Sequence, residues 1–494
     1  MAKYEVTSMI PAFKGLFQYG DGINGDPSFA VEEKNLETRA GALQPAAQCA
    51  LLTPALDYPI ETLMRLHRRW YAGADKDILI AASHGQLYSM LPNGNAWTQL
   101  TLPSGVTLQN SKWSWVTYEI NPEGSQSSVD VLLISNADDG MFMIRGDDLS
   151  VSAVTTPKKF GVIERHAERI WGGAITNDPD MLVYSAPYDP TDWDANVEIP
   201  EDGAGDLNQP SWDGDSFTAL RSFGSQLIAF KRTRVWRILG TDPGEYAFKE
   251  QYGGGCKYEK TIAVDAERIF MLTDRGVVTY DGLAVNPFQQ QYAEKIWAQM
   301  NKAHMDKAAA IFWRDKYYCS FPIGNSAINN AVMIYDTVDG TWLLRDDVYA
   351  ESFLGTEDDL FFTSSTTPGK VWKWKENSWE TESCTTAATR WVSPWNDLGA
   401  KNVIKGGFEV YLLAEVKENE AELNVSIQTE KKTKTKTKKY TVKPVVDSRK
   451  NAKQKKLHFG GTGRRFRVII ESPANSPVWR IISGVMIIAE IDPD

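Results

Sequence analysis

The densest group of side chains with chemical potential runs from Asp189 to Asp206. It holds Asp189, Asp192, Asp194, Glu198, Glu201, Asp202 and Asp206. Carboxylates at this density suit the acid/base pair of a glycosidase or a calcium loop. The spacing matches no EF-hand loop, and Asp189-Pro190 and Asp192-Trp193 are turn contexts. The expectation here is a solvated loop. The five histidines (His67, His84, His166, His304, His458) are far apart and form no HExxH pair. No GxSxG elbow occurs, and Gly253-Gly254-Gly255 is not followed by the Lys-Ser/Thr of a phosphate loop. Cys49, Cys256, Cys319 and Cys384 lack zinc-ligand spacing and read as buried free thiols. No catalytic residue, cofactor or metal ligand is expected.

The second concentration of charge is basic. Lys431, Lys432, Lys434, Lys436, Lys438 and Lys439 make up most of the run KKTKTKTKK, and Arg449, Lys450, Lys453, Lys455, Lys456, Arg464 and Arg465 follow. The chain as a whole carries a formal charge of −11, so this is a strong local asymmetry. Lys alternating with Thr on a strand sets lysines on one face, towards phosphates or an acidic protein. The same pattern also serves as a charged guard on an exposed sheet edge. These six lysines are the candidate partner or DNA contact. No aromatics interleave with them, which argues against a single-strand stacking site.

Elements that would position these groups repeat along the chain. Ser225–Phe230 runs through a polar turn into Val235–Gly240, and Glu267–Leu272 runs through Thr273–Gly276 into Val277–Gly282. Each is an apolar strand, a short turn and a second strand, a hairpin recurring after about 40 residues. The same unit occurs at Asp77–Met90, Val129–Arg145, Arg169–Ser185, Lys316–Tyr335 and Asp359–Trp374. An upstream strand precedes most copies. Three or four antiparallel strands repeated about seven times predict an all-β chain with a β-propeller of about seven blades over residues 58–377. Residues 1–57 read as an extended arm lying on the platform or a neighbouring subunit, and residues 378–494 as a C-terminal antiparallel β-sandwich. Ile296, Trp297 and Met300 predict a short helix between the fifth and sixth blades, and Lys231 and Arg234 are expected on the surface of a turn. There is no signal-peptide h-region and no apolar run of 18 residues, so neither secretion nor a membrane span is expected.

Two blocks carry a resemblance. Arg169-Ile170-Trp171-Gly172-Gly173, Leu182-Val183-Tyr184-Ser185, Asp189-Pro190-Thr191-Asp192-Trp193, Gln226–Lys231, Trp236-Arg237-Ile238, Gly254-Gly255-Cys256 and Tyr280-Asp281-Gly282 resemble the propeller segment of tailed-bacteriophage structural proteins. Gly463–Pro473 is similar to the last strands of the DNA-stabilising tail nozzle proteins of short-tailed phages. The resemblance implies a virion structural protein assembled in the host cytoplasm, not an enzyme. It implies a homo-hexameric ring extending the head-to-tail channel, retaining and then releasing the packaged genome. The implied partners are adaptor or portal-proximal tail proteins, tail fibres or spikes, and double-stranded DNA passing through the lumen. The alternative is a carbohydrate-binding or carbohydrate-active propeller using Trp193 with Asp189 and Asp192; a scaffold propeller for protein interaction is a third reading.

Overall fold

The computed structural model describes residues 4–20, 25–52, 54–121, 128–208, 214–380, 384–430, 435–444 and 454–492. Half of the chain is strand and 5% is helix, so it is all-β. Seven four-stranded antiparallel sheets among the described residues are the blades of a propeller. Blade one spans Thr62–Gln99, two Ser114–Val154, three Val162–Asn208, four Ala219–Gln251, five Ala263–Pro287 and six Ala309–Arg345. Blade seven takes three strands from Ala350–Lys373 and its outermost strand, Ala50–Leu52, from the N-terminal arm. Joining the two ends of the repeat in one sheet closes the ring.

The first strand of each blade is innermost, since these strands neighbour one another from blade to blade. Strand direction alternates across each blade. The turns after first and third strands therefore share one face of the disc, and the other connections share the opposite face. Apolar side chains on both faces of the second strands fill the seams between blades: Ile78–Ser83 and Phe361–Ser364 are buried throughout. Aromatic pairs supply much of that packing, as with Trp171 on Tyr246 at 4.9 Å and Phe270 on Tyr317 at 4.8 Å. Tyr280 is fully buried and donates to Gln251 Oε1 at 3.1 Å.

The C-terminal unit is a sandwich into which the arm is woven. Ile404–Val416 pairs with Lys455–Gly463 on one side and with Trp479–Asp492 on the other. Tyr4–Ile10 adds to the last of these along seven residue pairs. The facing sheet runs Glu32–Lys34, Thr389–Val392, Phe466–Ser472, Ala421–Thr429, Lys436–Val442. The propeller is thus an insertion between arm strands and sandwich strands. Asn35 ties the two units. It is 3% exposed, takes a left-handed φ of 55°, exchanges hydrogen bonds with Asp346 of the blade-six side, and donates Nδ2–H to the Ala388 carbonyl. Arg345 makes a bidentate pair with Asp347, both at 2.7 Å, and also donates to the Ala47 carbonyl.

One expectation is corrected. Lys231 is not on the surface: it is wholly buried, paired with Asp180 of blade three and set 5.0 Å from the Phe217 ring centroid. The turn that carries it joins the second and third strands of blade four and packs on blade three, so the ammonium is covered by the neighbouring blade. Between blades five and six lies the expected short helix, Glu294–Trp297, followed by tight turns over Lys302–Lys307 kinked at His304, both pinned by burial of Ile296, Trp297 and Met305.

Candidate functional site

Lys431, Lys432 and Lys434 lie outside the described residues. Lys436, Lys438 and Lys439 stand on Lys436–Val442, the edge strand of its sheet. Register decides their directions. Lys436 and Lys438 oppose Ile427 and Val425, so they share the side of Tyr440 and Val442, at the open end of the sandwich. Lys439 points the other way and pairs with Glu422 at 3.1 Å. Lys436 lies across Gly460 and Gly461 of Lys455–Gly463, the edge strand of the second sheet, where any larger side chain would meet it. Lys455 and Lys456 begin that strand, and Lys456 pairs with Glu409 at 2.8 Å. Two lysine-bearing edges therefore meet at one end of the sandwich. Lys436, Lys438 and Lys455 are exposed and have no carboxylate within 4.0 Å among the described residues.

The acidic segment is the connection between the third and fourth strands of blade three. Its seven carboxylates are exposed, and none has a cation within 4.0 Å among the described residues. Several act as local turn acceptors: Asp189 Oδ1 takes the Thr191 backbone N–H at 2.8 Å, and Asp192 Oδ1 that of Asp194 at 2.9 Å. Trp193 packs on Phe160 at 5.1 Å and donates Nε1–H to the Pro190 carbonyl at 3.1 Å. Sequence reading passed over the residue that holds the segment together. Arg169, 3% exposed, donates Nη1 to the Ser185 and Gly203 carbonyls, each at 2.7 Å, and Nη2 to that of Glu201. An arginine opening an otherwise apolar strand was the available signal. Tyr188 (74%), Val197 (92%) and Ile199 (49%) are exposed on the same segment.

Buried carboxyls gather where the arm meets the propeller. Glu33 is 1% exposed, neither of its carboxyl oxygens has a hydrogen-bond partner among the described residues, and burial pushes its pKa up to about 8. Glu37 borders a cavity of about 420 Å³ that Arg39, Arg314, Lys316, Arg345 and Glu376 also line. Burial raises Glu37 too, against the pull of Arg345. Between blades three and four, burial raises Glu164 to about 7 while Arg221 and the Ser222 N–H hold it down. Four free thiols are present; Cys256 and Cys319 are buried, Cys49 and Cys384 partly so. Among the described residues no group of three or more His, Cys, Asp or Glu is placed to hold a metal ion. No described helix is long and apolar enough to cross a membrane.

No protein-family model and no curated protein matches the chain. Solved structures similar to it include BBS1N in complex with ARL6DN (8% identity, 67% of this chain and 98% of that one, TM-score 0.40). The Pan2 WD40 domain of Neurospora crassa is another (9%, 65% and 90%, TM-score 0.34). A chain of the mitotic checkpoint complex is a third (12%, 65% and 96%, TM-score 0.36). The class of fold, a seven-bladed β-propeller inserted in a β-sandwich, stands on the strand pairing of this chain itself.

Proposed function

We propose that the chain is a virion structural protein of a tailed bacteriophage, a subunit of the nozzle or neck ring through which packaged DNA is held and released. One observation carries the reading: propeller and sandwich are built as a single interleaved body, with arm strands in both sandwich sheets and in blade seven. A subunit that transmits load between neighbours needs such construction, because no flexible linker separates its parts. The resemblance of Glu168–Gly282 and Gly463–Pro473 to nozzle proteins supports the same reading, and these blocks correspond to blades three to five and a central sandwich strand. The net charge of −11 suits a channel that passes DNA without trapping it. Sedimentation velocity and negative-stain imaging of the purified full chain test the proposal. Rings of about six copies that dock on portal or adaptor rings are expected. A chain that stays monomeric and binds neither sinks it.

A further inference from the structure

We infer that the lysine-bearing double edge of the sandwich docks on the acidic blade-three segment of a second copy of this chain. The inference rests on the ring reading above and names the contact that would build it. Lys436, Lys438 and Lys455 sit on two adjoining edge strands, exposed and without a carboxylate partner among the described residues. Edge strands also offer backbone N–H and C=O groups to an incoming chain.

The complement is present in the same molecule. Seven exposed carboxylates between Asp189 and Asp206 have no cation partner among the described residues, and Tyr188, Val197 and Ile199 stand exposed among them. Arg169 pins both ends of this segment from beneath, so it presents a fixed surface. Within one copy the two patches do not meet. The sandwich packs on blade six through Glu32–Lys34 and Leu36–Arg39, which neighbour Thr341–Arg345. Blade three is three blades away in a ring of seven, about 150° round the disc. Different patches of opposite charge on one subunit make a heterologous contact, which closes into a ring or runs on as a filament. An anionic duplex satisfies the lysines equally well. It leaves the apolar side chains of the acidic segment uncovered, and a second copy covers both.

The test uses two full-length variants, Lys436→Glu/Lys438→Glu/Lys455→Glu and Asp192→Lys/Asp194→Lys/Glu198→Lys. Each alone sets like charge against like at the contact. An equimolar mixture restores opposite charges at every junction. Sedimentation velocity at about 0.05 M and about 0.5 M salt should show each variant associating at least about tenfold more weakly than the native chain, with recovery in the mixture and the difference shrinking at high salt. Recovery also shows that both variants are folded. Rings that persist in either variant alone, or a mixture that fails to recover, overturn the contact and leave the nozzle reading standing. A native chain that never self-associates overturns both. Loss of binding to a short labelled DNA duplex in the lysine variant, with self-association unchanged, reassigns the edge to DNA.

Discussion

Glu33 offers the sharpest physical test of the seam between arm and propeller. Its carboxyl is 1% exposed and makes no hydrogen bond among the described residues, while its neighbours Glu32 and Lys34 pair with Arg390 and Asp346 at 2.9 and 3.1 Å. Burial is the cause that lifts Glu33 from 4.5 to about 8. The sign follows directly. Between those values the folded chain holds a proton that the unfolded chain releases, so the contribution of Glu33 to stability is greatest below pH 4.5 and falls as pH climbs towards 8. At about 1.4 kcal/mol per pH unit, the loss reaches about 3 kcal/mol at pH 7 and about 5 kcal/mol once ionisation is complete. Glu33→Gln keeps the shape and cannot ionise. Urea unfolding of native and variant chains at several pH values isolates Glu33, because every other titration cancels in the difference. The variant should match the native chain near pH 4.5 and exceed it by about 3 kcal/mol at pH 7. A stability difference that stays constant across pH would refute the reasoning, for it would mean that the carboxyl is hydrated or partnered in solution.

Three further outcomes are expected. Gly484→Ala sets a Cβ against the Ile10 carbonyl where the first strand joins the last, so it should release Tyr4–Ile10, read as new rapid amide exchange there while blade three is unchanged. Leu51→Pro stiffens the backbone at the centre of the closing strand, opposite Trp372, and should raise exchange in Ala350–Lys373, the blade that the arm closes. Asn35→Ala loses the three hydrogen bonds of the side chain and puts alanine at a left-handed φ of 55°, and should cost about 2–4 kcal/mol by urea unfolding. If Asn35→Ala unfolds like the native chain, the seam does not depend on this residue.

Much of the fold was legible because a blade is a local object. The strand–turn–strand unit of Gln226–Leu239 or Ile269–Tyr280 announces itself in apolar runs broken by short polar turns, and its hydrogen bonds join residues close in sequence. The basic run and the acidic segment were equally plain, since charge needs no folding to be counted. What each faces was not legible. Alternation alone separates Lys436 and Lys438 from Thr437, but only the pairing with Ala421–Thr429 sets these two lysines on the side of Tyr440 and Val442.

Composition and periodicity by themselves determined an all-β chain, blades recurring every 40 residues or so, and one basic patch on an acidic body. Tertiary structure alone decided that Ala50–Leu52 completes blade seven, that Tyr4–Ile10 pairs with Val485–Ile491, and that Lys231 is buried against Asp180. The physical reason is range. Backbone ladders between distant segments carry no side-chain code, and a charge in a turn reads as exposed until the neighbouring blade covers it. The same limit holds for the lysine edge, which the sequence marks as basic and the fold places on an outer strand of the sandwich.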